Sequence, residues 1–224
     1  MAHDERENRD AMTGLDTRQT FLKVFEEEIT KADGEETCVS LAFADLDQFG
    51  KLNDEHGAAI GDEVIKSIAR HLADAISGKG RVFRYGGEEF AVVLPGMEKE
   101  GAFLVMESVR SAFDRMNEHV FVADGKEVRL NVTFSVGLAT YPDDGAREQE
   151  IVRKADEALY RAKQSGRNRV SLSREEKMVT KTSHYTQGQL ERLSRLAKRE
   201  GVGEAVLLRE ALDDLLRKYL IREV

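Results

Sequence analysis

The stretch "FRYGGEEFAVVLPG", beginning at Phe83, sets a glycine pair between a short aromatic-basic run and a continuous apolar one. Two strand-forming runs joined across such a pair form a hairpin. "CVSLAFADLD", from Cys38, reads as another buried strand, this one ending in acids. Strands so apolar need cover, and helical spacing elsewhere supplies it. After Asp16, "TRQTFLKVFEEEITKA" puts Phe21, Val24, Phe25 and Ile29 on one helix face, and "AAIGDEVIKSIARHLADAI" does the same with Val64, Ile65, Ile68, Leu72 and Ile76. A third helix is expected from about Lys99 to Met116, and a fourth over "EQEIVRKADEALYRAKQSG", stopped at Gly166. Asp124-Gly125 marks a second hairpin turn, and "NRVSLS" a closing strand. The alternation predicts an α+β fold, a mixed central sheet flanked by helices.

No run in the 224 residues approaches the roughly 20 apolar residues of a membrane span, and "MAHDERENRD" lacks a signal-peptide stretch. A cytoplasmic protein without a membrane partner is expected. Cys38 is the only cysteine, which excludes a disulfide within the chain and a thiolate metal cluster; its apolar neighbours predict a small core residue. The net charge of -8 argues against a protein that coats nucleic acid, yet residues 1–170 carry -10 and residues 171–224 carry +2. That asymmetry suggests two modules with different partners.

From about Glu175 the pattern changes. A polar stretch, "VTKTSHYT", precedes two helices, the first with Leu190, Leu193 and Leu196, the second with Leu207, Leu208, Ala211, Leu212, Leu215, Leu216, Tyr219 and Leu220. Roughly 45 residues cannot bury so broad a stripe alone, so a second copy of the chain is the simplest cover.

The chemistry concentrates at two turns. Strand alternation sends Asp45 and Asp47 to one face and Leu46 to the other, where carboxylate and carbonyl oxygens suit Mg2+. The glycine turn could bring Glu88 to the same edge, while Gly86 and Gly87 allow positive φ and leave open backbone for a phosphate chain. Taken singly, acids at strand ends are usually solvated, and Gly-Gly is an ordinary turn.

Four separated motifs, "MTGLDTR", "FADLDQFGKLNDEHGAAIGDEV", "RYGGEEF" and "ADEALYRAKQSGRNRV", together resemble the GGDEF family of diguanylate cyclases over about residues 10–171. The resemblance implies a domain over 1–172 that condenses two GTP into cyclic di-GMP, with Mg2+ or Mn2+, two per active site, as cofactor. Asp45 and Glu88 match the metal-binding acids, with the Leu46 carbonyl as a further ligand and Asp47 an additional one. Asn53 and Asp62 match the guanine-binding pair, with Phe49 beside them. A carboxylate accepts from guanine N1–H and N2–H, donors that adenine lacks on that edge. Lys163 and Arg167 match the residues that hold the terminal phosphates; the bland reading is that cations near a helix C-terminus favour its dipole. Glu89 joins Asp45 and Glu88 as a catalytic candidate, abstracting the proton or organising the surroundings of the metal.

Several positions depart from the family pattern. Gly50 stands where many members carry Lys, and Ala58 takes the usual His place. Ser77 and Gly80 replace the Arg and Asp of the product-binding motif upstream of the glycine pair, so no feedback through that site is expected.

Residues 173–224 resemble a ribbon-helix-helix module, which implies a homodimer with DNA as a further partner. Thr180, Thr182 and His184 would face the groove, whereas Glu204 at the start of the second helix would repel a phosphate. The rival to a cyclase is a catalytically silent, nucleotide-sensing regulator that binds DNA through this module. A helical hairpin packed on its own catalytic domain is the plainest alternative for the tail.

Overall fold

The computed structural model describes residues 8–116, 119–173, 185–200 and, beyond these, 203–205, 207–208, 211–212 and 215. Two compact units divide the chain, 1–176 and 177–224. The first holds β1 (Asp16–Thr17), α1 (Arg18–Gly34), β2 (Val39–Leu46), α2 (Phe49–His56), α3 (Ala58–Ile76), β3 (Arg81–Arg84) and β4 (Glu89–Pro95). It continues with α4 (Lys99–Asp114), β5 (His119–Ala123), β6 (Lys126–Leu130), β7 (Phe134–Tyr141), α5 (Glu148–Gln164) and β8 (Val170–Leu172).

Six strands form one sheet in the order β1-β3-β4-β2-β7-β8. The inner pairings are antiparallel, while β1 on β3 and β8 on β7 are parallel, so the sheet is mixed. The central strand, β2, is buried along its whole length, which explains why its sequence lacks polar alternation. Its side chains still alternate by face. Ala42, Ala44 and Leu46 join the cluster with Val64, Ile68 and Leu72 of α3 and Met106 of α4. Leu41 and Phe43 join Phe21 and Phe25 of α1 and Ile151, Ala155 and Leu159 of α5. Burying each of the larger side chains among these contributes about 1.5–3 kcal/mol, so both layers are needed to hold the sheet.

At Gly137 of β7 an added Cβ would lie 2.0 Å from the backbone nitrogen of Leu159 and 2.2 Å from the carbonyl of Ala155. Only a glycine lets α5 approach this closely, and the depth of α5 sets where its last turn reaches. The separate β5–β6 hairpin turns through Asp124 (φ 50) and Gly125 (φ 74), the left-handed pair that a two-residue turn requires.

Three details differ from the sequence reading. Helix α2 is absent from it, because eight residues with only Phe49 fully buried present no apolar stripe. Helix α4 ends at Asp114, before Met116. Cys38 is half-buried at the start of the sheet, not in the core.

In the second unit, α6 (Gln187–Glu200) begins with reciprocal bonds: Gln189 N donates to Thr186 Oγ1, and Thr186 N donates to Gln189 Oε1 at 2.9 Å. This is a capping box. Leu190 and Leu196 are exposed, as are Leu208, Leu212 and Leu215 further on. The groove-facing Thr180, Thr182 and His184, with Leu216, Tyr219 and Leu220, lie outside the described residues.

Candidate active site

Continuing the alternation of β2 past Phe43 sends Asp45 to the α1/α5 side of the sheet, and its register partner on β4 is Glu89. Directly opposed residues of an antiparallel pair share a face, so these two acids are neighbours. Glu88 lies in the turn just before β4, one residue ahead of Glu89. Leu46 N donates to Glu88 O at 3.3 Å, tying the turn to the strand end. From α5, Lys163 Nζ reaches Asp45 Oδ2 at 2.6 Å. Asp45 is only 4% exposed, and its other oxygen, Oδ1, is buried without a partner. A buried carboxylate oxygen left unbonded is costly, and a bound cation would satisfy it.

Burial pushes the Asp45 carboxyl above the ordinary range, against the pull of Lys163 and with the charges of Glu89 and Asp47 adding to the rise. Burial likewise raises Glu88, and the Asp45 charge raises it further. For a carboxyl raised in the folded state, the stabilising contribution is complete below the unfolded-state pKa and is lost as pH rises through the folded one. The ion-free protein should therefore be strained at neutral pH. Adding Mg2+ should raise Tm at about pH 7.5 and do so progressively less towards about pH 5, where protons compete for the same oxygens. Differential scanning calorimetry with and without Mg2+ checks this, and Asp45→Asn should remove the Mg2+ response.

Neither Gly86 nor Gly87 adopts positive φ, contrary to the expectation. Missing bulk is what matters instead. A Cβ on Gly86 would sit 2.5 Å from Glu89 Oε2, so the Glu89 carboxylate lies over that backbone; at Gly87 the space is open. Arg84, which the sequence reading passed over, braces the turn. Its Nε donates to Gly86 O, its guanidinium carbon lies 5.1 Å from the centre of the Phe90 ring, and its Nη1 is buried without a partner. Burial lowers its pKa while Asp10, Asp62 and Glu88 hold its charge. An arginine closing a short strand, with one residue between it and two glycines, was the available signal.

Asn53, on α2, has its Oδ1 buried and unpartnered. That atom rests against Gly61 of α3, where an added Cβ would stand 1.9 Å from it and 3.1 Å from Phe49 Cζ. Gly61 is thus the floor under Asn53 and Phe49, and Asp62 follows it, half-buried. At Gly80 a Cβ would meet Val93 O at 2.1 Å, which leaves no room for any side chain.

Asp47 follows the last residue of β2, and Ser135, the register partner of Asp45, lies against it. Its carboxylate turns to β7 and the α5–β8 loop: Ser135 Oγ donates to Oδ1 at 2.7 Å, and Thr133 Oγ1 and Asn168 N donate to Oδ2 at 2.8 and 3.0 Å. Arg167 is exposed on that loop, beyond the last turn of α5.

Among the described residues no three His, Cys, Asp or Glu side chains converge to grip a metal. Two carboxylates with a backbone carbonyl still suit Mg2+, which keeps several waters and takes its remaining ligands from phosphates. The orphaned Asp45 Oδ1 fits that ion. A cleft of about 550 Å3 lined by Asp33, Cys38, Glu98 and Tyr141 lies at the other end of β2 and carries none of these groups.

No helix among the described residues is long and apolar enough to cross a membrane. Residues 180–220 match the ribbon-helix-helix domain. The chain is 35% identical over 173 residues to diguanylate cyclase A of Treponema denticola, covering 76% of this chain and 45% of that one. It is also 35% identical over 161 residues to the response regulator PleD of Caulobacter vibrioides, covering 72% and 35%. The chain therefore spans less than half the length of these relatives. The coiled coil and GGDEF domain of DgcB from Caulobacter crescentus, solved in complex with c-di-GMP, superimposes with a TM-score of 0.69 at 26% identity, covering 76% of this chain and 88% of that one. With residues 7–169 matching the family described as diguanylate cyclase, GGDEF domain, the chain belongs to the GGDEF family.

Proposed function

We propose that the chain is a diguanylate cyclase that condenses two GTP into cyclic di-GMP. The observation that carries this is the buried Asp45 with its unsatisfied Oδ1, set beside Glu88 and Glu89 and facing Lys163. In each of two steps a 3′-hydroxyl of one GTP attacks the α-phosphorus of the other; the new P–O bond forms as the bond to the β-phosphate oxygen breaks, and pyrophosphate leaves. Asp45, the Leu46 carbonyl and Glu88 would hold Mg2+ or Mn2+, two ions per site, which supplies charge to stabilise the departing pyrophosphate and to acidify the hydroxyl. Glu89, on the same face as Asp45, takes up the hydroxyl proton. Asn53 and Asp62 read guanine with Phe49 supporting Asn53, Gly87 leaves backbone open to the phosphates beside Gly86, and Lys163 and Arg167 neutralise them.

Incubating the full chain with GTP and Mg2+ and identifying nucleotides by chromatography tests the proposal, beside Glu88→Ala. Cyclic di-GMP from the wild type alone is expected; unchanged GTP from both would sink it. Gly61→Ala should raise KM for GTP by about tenfold with kcat little changed, since pushing Asn53 off its seat removes binding to the base and not to the reacting atoms. Steady-state kinetics separate the two constants. With no room for a side chain at Gly80 and Ser77 in place of the Arg, the cyclase is not inhibited by product through that motif.

The C-terminal unit supplies the homodimer. Its ribbon-helix-helix match also favours a second reading, a regulator that binds DNA and senses nucleotide without turnover. An electrophoretic shift with genomic fragments together with no product from GTP would select that reading.

A further inference from the structure

We propose that Asp47 is a positioning residue for the phosphate-binding arm, holding the loop that carries Arg167, and that it contributes nothing to the metal. The inference rests on the nucleotide reading above and deepens it. A carboxylate has about four acceptor positions, and Asp47 spends three, on Ser135, Thr133 and the backbone N–H of Asn168. Its own N–H donates to Thr133 O at 2.9 Å, which fixes the aspartate before it reaches the loop. The loop needs such a holder. Arg167 (φ 60) and Asn168 (φ 45) are consecutive non-glycine residues in the left-handed region, a conformation that persists only when the surroundings enforce it.

Three further bonds complete the clamp. Arg167 N donates to Ala162 O at 3.0 Å, Val136 N donates to Arg169 O at 2.9 Å, and Arg110 Nη1 donates to Asn168 Oδ1. Among the described residues Asp47 is what ties the loop to the catalytic end of β2. The two aspartates of "DLD" thus divide the cations between them: Asp45 engages Lys163 on α5, and Asp47 sets the loop that bears Arg167. Loss of this support would leave guanine and metal contacts intact and displace the cation that meets the terminal phosphates.

The test uses full-length Asp47→Asn, checked for folding by circular dichroism, and titrates GTP and GMP calorimetrically in EDTA. GTP binding should weaken by about tenfold while GMP binding changes little, because only the longer chain reaches Arg167. The half-saturating Mg2+ for turnover should stay that of the wild type. In an Arg167→Ala background, Asp47→Asn should cost almost nothing more, since the arm it serves is already gone. Equal loss for GTP and GMP, a raised Mg2+ requirement, or losses that add across the two positions would each overturn the inference. Thr133→Val, which keeps the acid and removes one donor, should move the same quantities in the same direction by less, and serves if the asparagine variant does not fold. A wild type that binds GMP and GTP equally refutes the role of the arm; one that binds neither refutes the nucleotide reading itself.

Discussion

Asp45→Asn will lower cyclic di-GMP formation by about a thousandfold, equivalent to about 4 kcal/mol of transition-state stabilisation. The substitution keeps size and shape, so the sheet, with its Asp45–Glu89 register, has no reason to change. What disappears is the negative charge. Asp45 Oδ1, buried and without a partner, is the oxygen left for a cation, and an amide there offers a weaker ligand or points its NH2 at the ion. The change also frees Lys163, whose ammonium is held 2.6 Å from Oδ2, so the site gains positive charge as it loses its anchor for Mg2+. Mere weakening of the nucleotide would appear in KM; removal of charge stabilisation at the reacting phosphorus appears in kcat. Initial rates at saturating GTP and Mg2+, followed by chromatography, decide it. A kcat within about threefold of the wild type would remove Asp45 from the reaction and with it the central claim for this site.

Much of this geometry was legible before any coordinates. The apolar runs of β2 and β4 announce strands covered on both sides, and the helical spacing around Phe21 and Ile68 identifies their cover. The acids at the two turns were readable as ligand candidates from the pattern itself, but the family resemblance was needed to prefer that over solvated strand ends, because an acid at a strand end has the same local signature whether it binds metal or water. Where the reading missed, a contact made by the fold overrode a local rule. Gly86 and Gly87 suggested positive φ, whereas Gly86 serves by lacking a Cβ beneath Glu89 and Gly87 by leaving open space, uses that the glycine pair does not declare in sequence. Gly61 and Gly137 belong to the same class: each permits an approach by a residue far along or across the fold, Asn53 in one case and α5 in the other. The donors to Asp47 escaped notice for the opposite reason, since Thr133, Ser135 and Asn168 are 86, 88 and 121 residues away and gain meaning only when β7 lies beside β2.

Full-length protein carrying both Leu208→Glu and Leu212→Glu should become a monomer and lose about a hundredfold in specific activity at micromolar concentration. The leucines are 37% and 54% exposed in the single chain, on a unit whose sequence matches a ribbon-helix-helix domain, and a small module leaves such a stripe uncovered only when a second copy covers it. On the function proposed above each catalytic domain would offer one set of guanine and phosphate contacts, yet the product contains two nucleotides, so turnover demands two domains. A tail that pairs the chains turns that meeting into an intramolecular event at an effective concentration on the order of millimolar, far above the protein itself. The kinetic signature is as informative as the loss. Wild-type activity per molecule should be flat across dilution, whereas the doubly substituted chain should show activity per molecule rising in proportion to its concentration, with sedimentation confirming the monomer. Both substitutions fall in the second unit, so binding of a single GTP should be unchanged and serves as the control. A monomeric variant with full, concentration-independent activity would detach the tail from catalysis. A monomer more active than the wild type would mean that the tail holds the two sites apart, reversing its role from assembly to restraint.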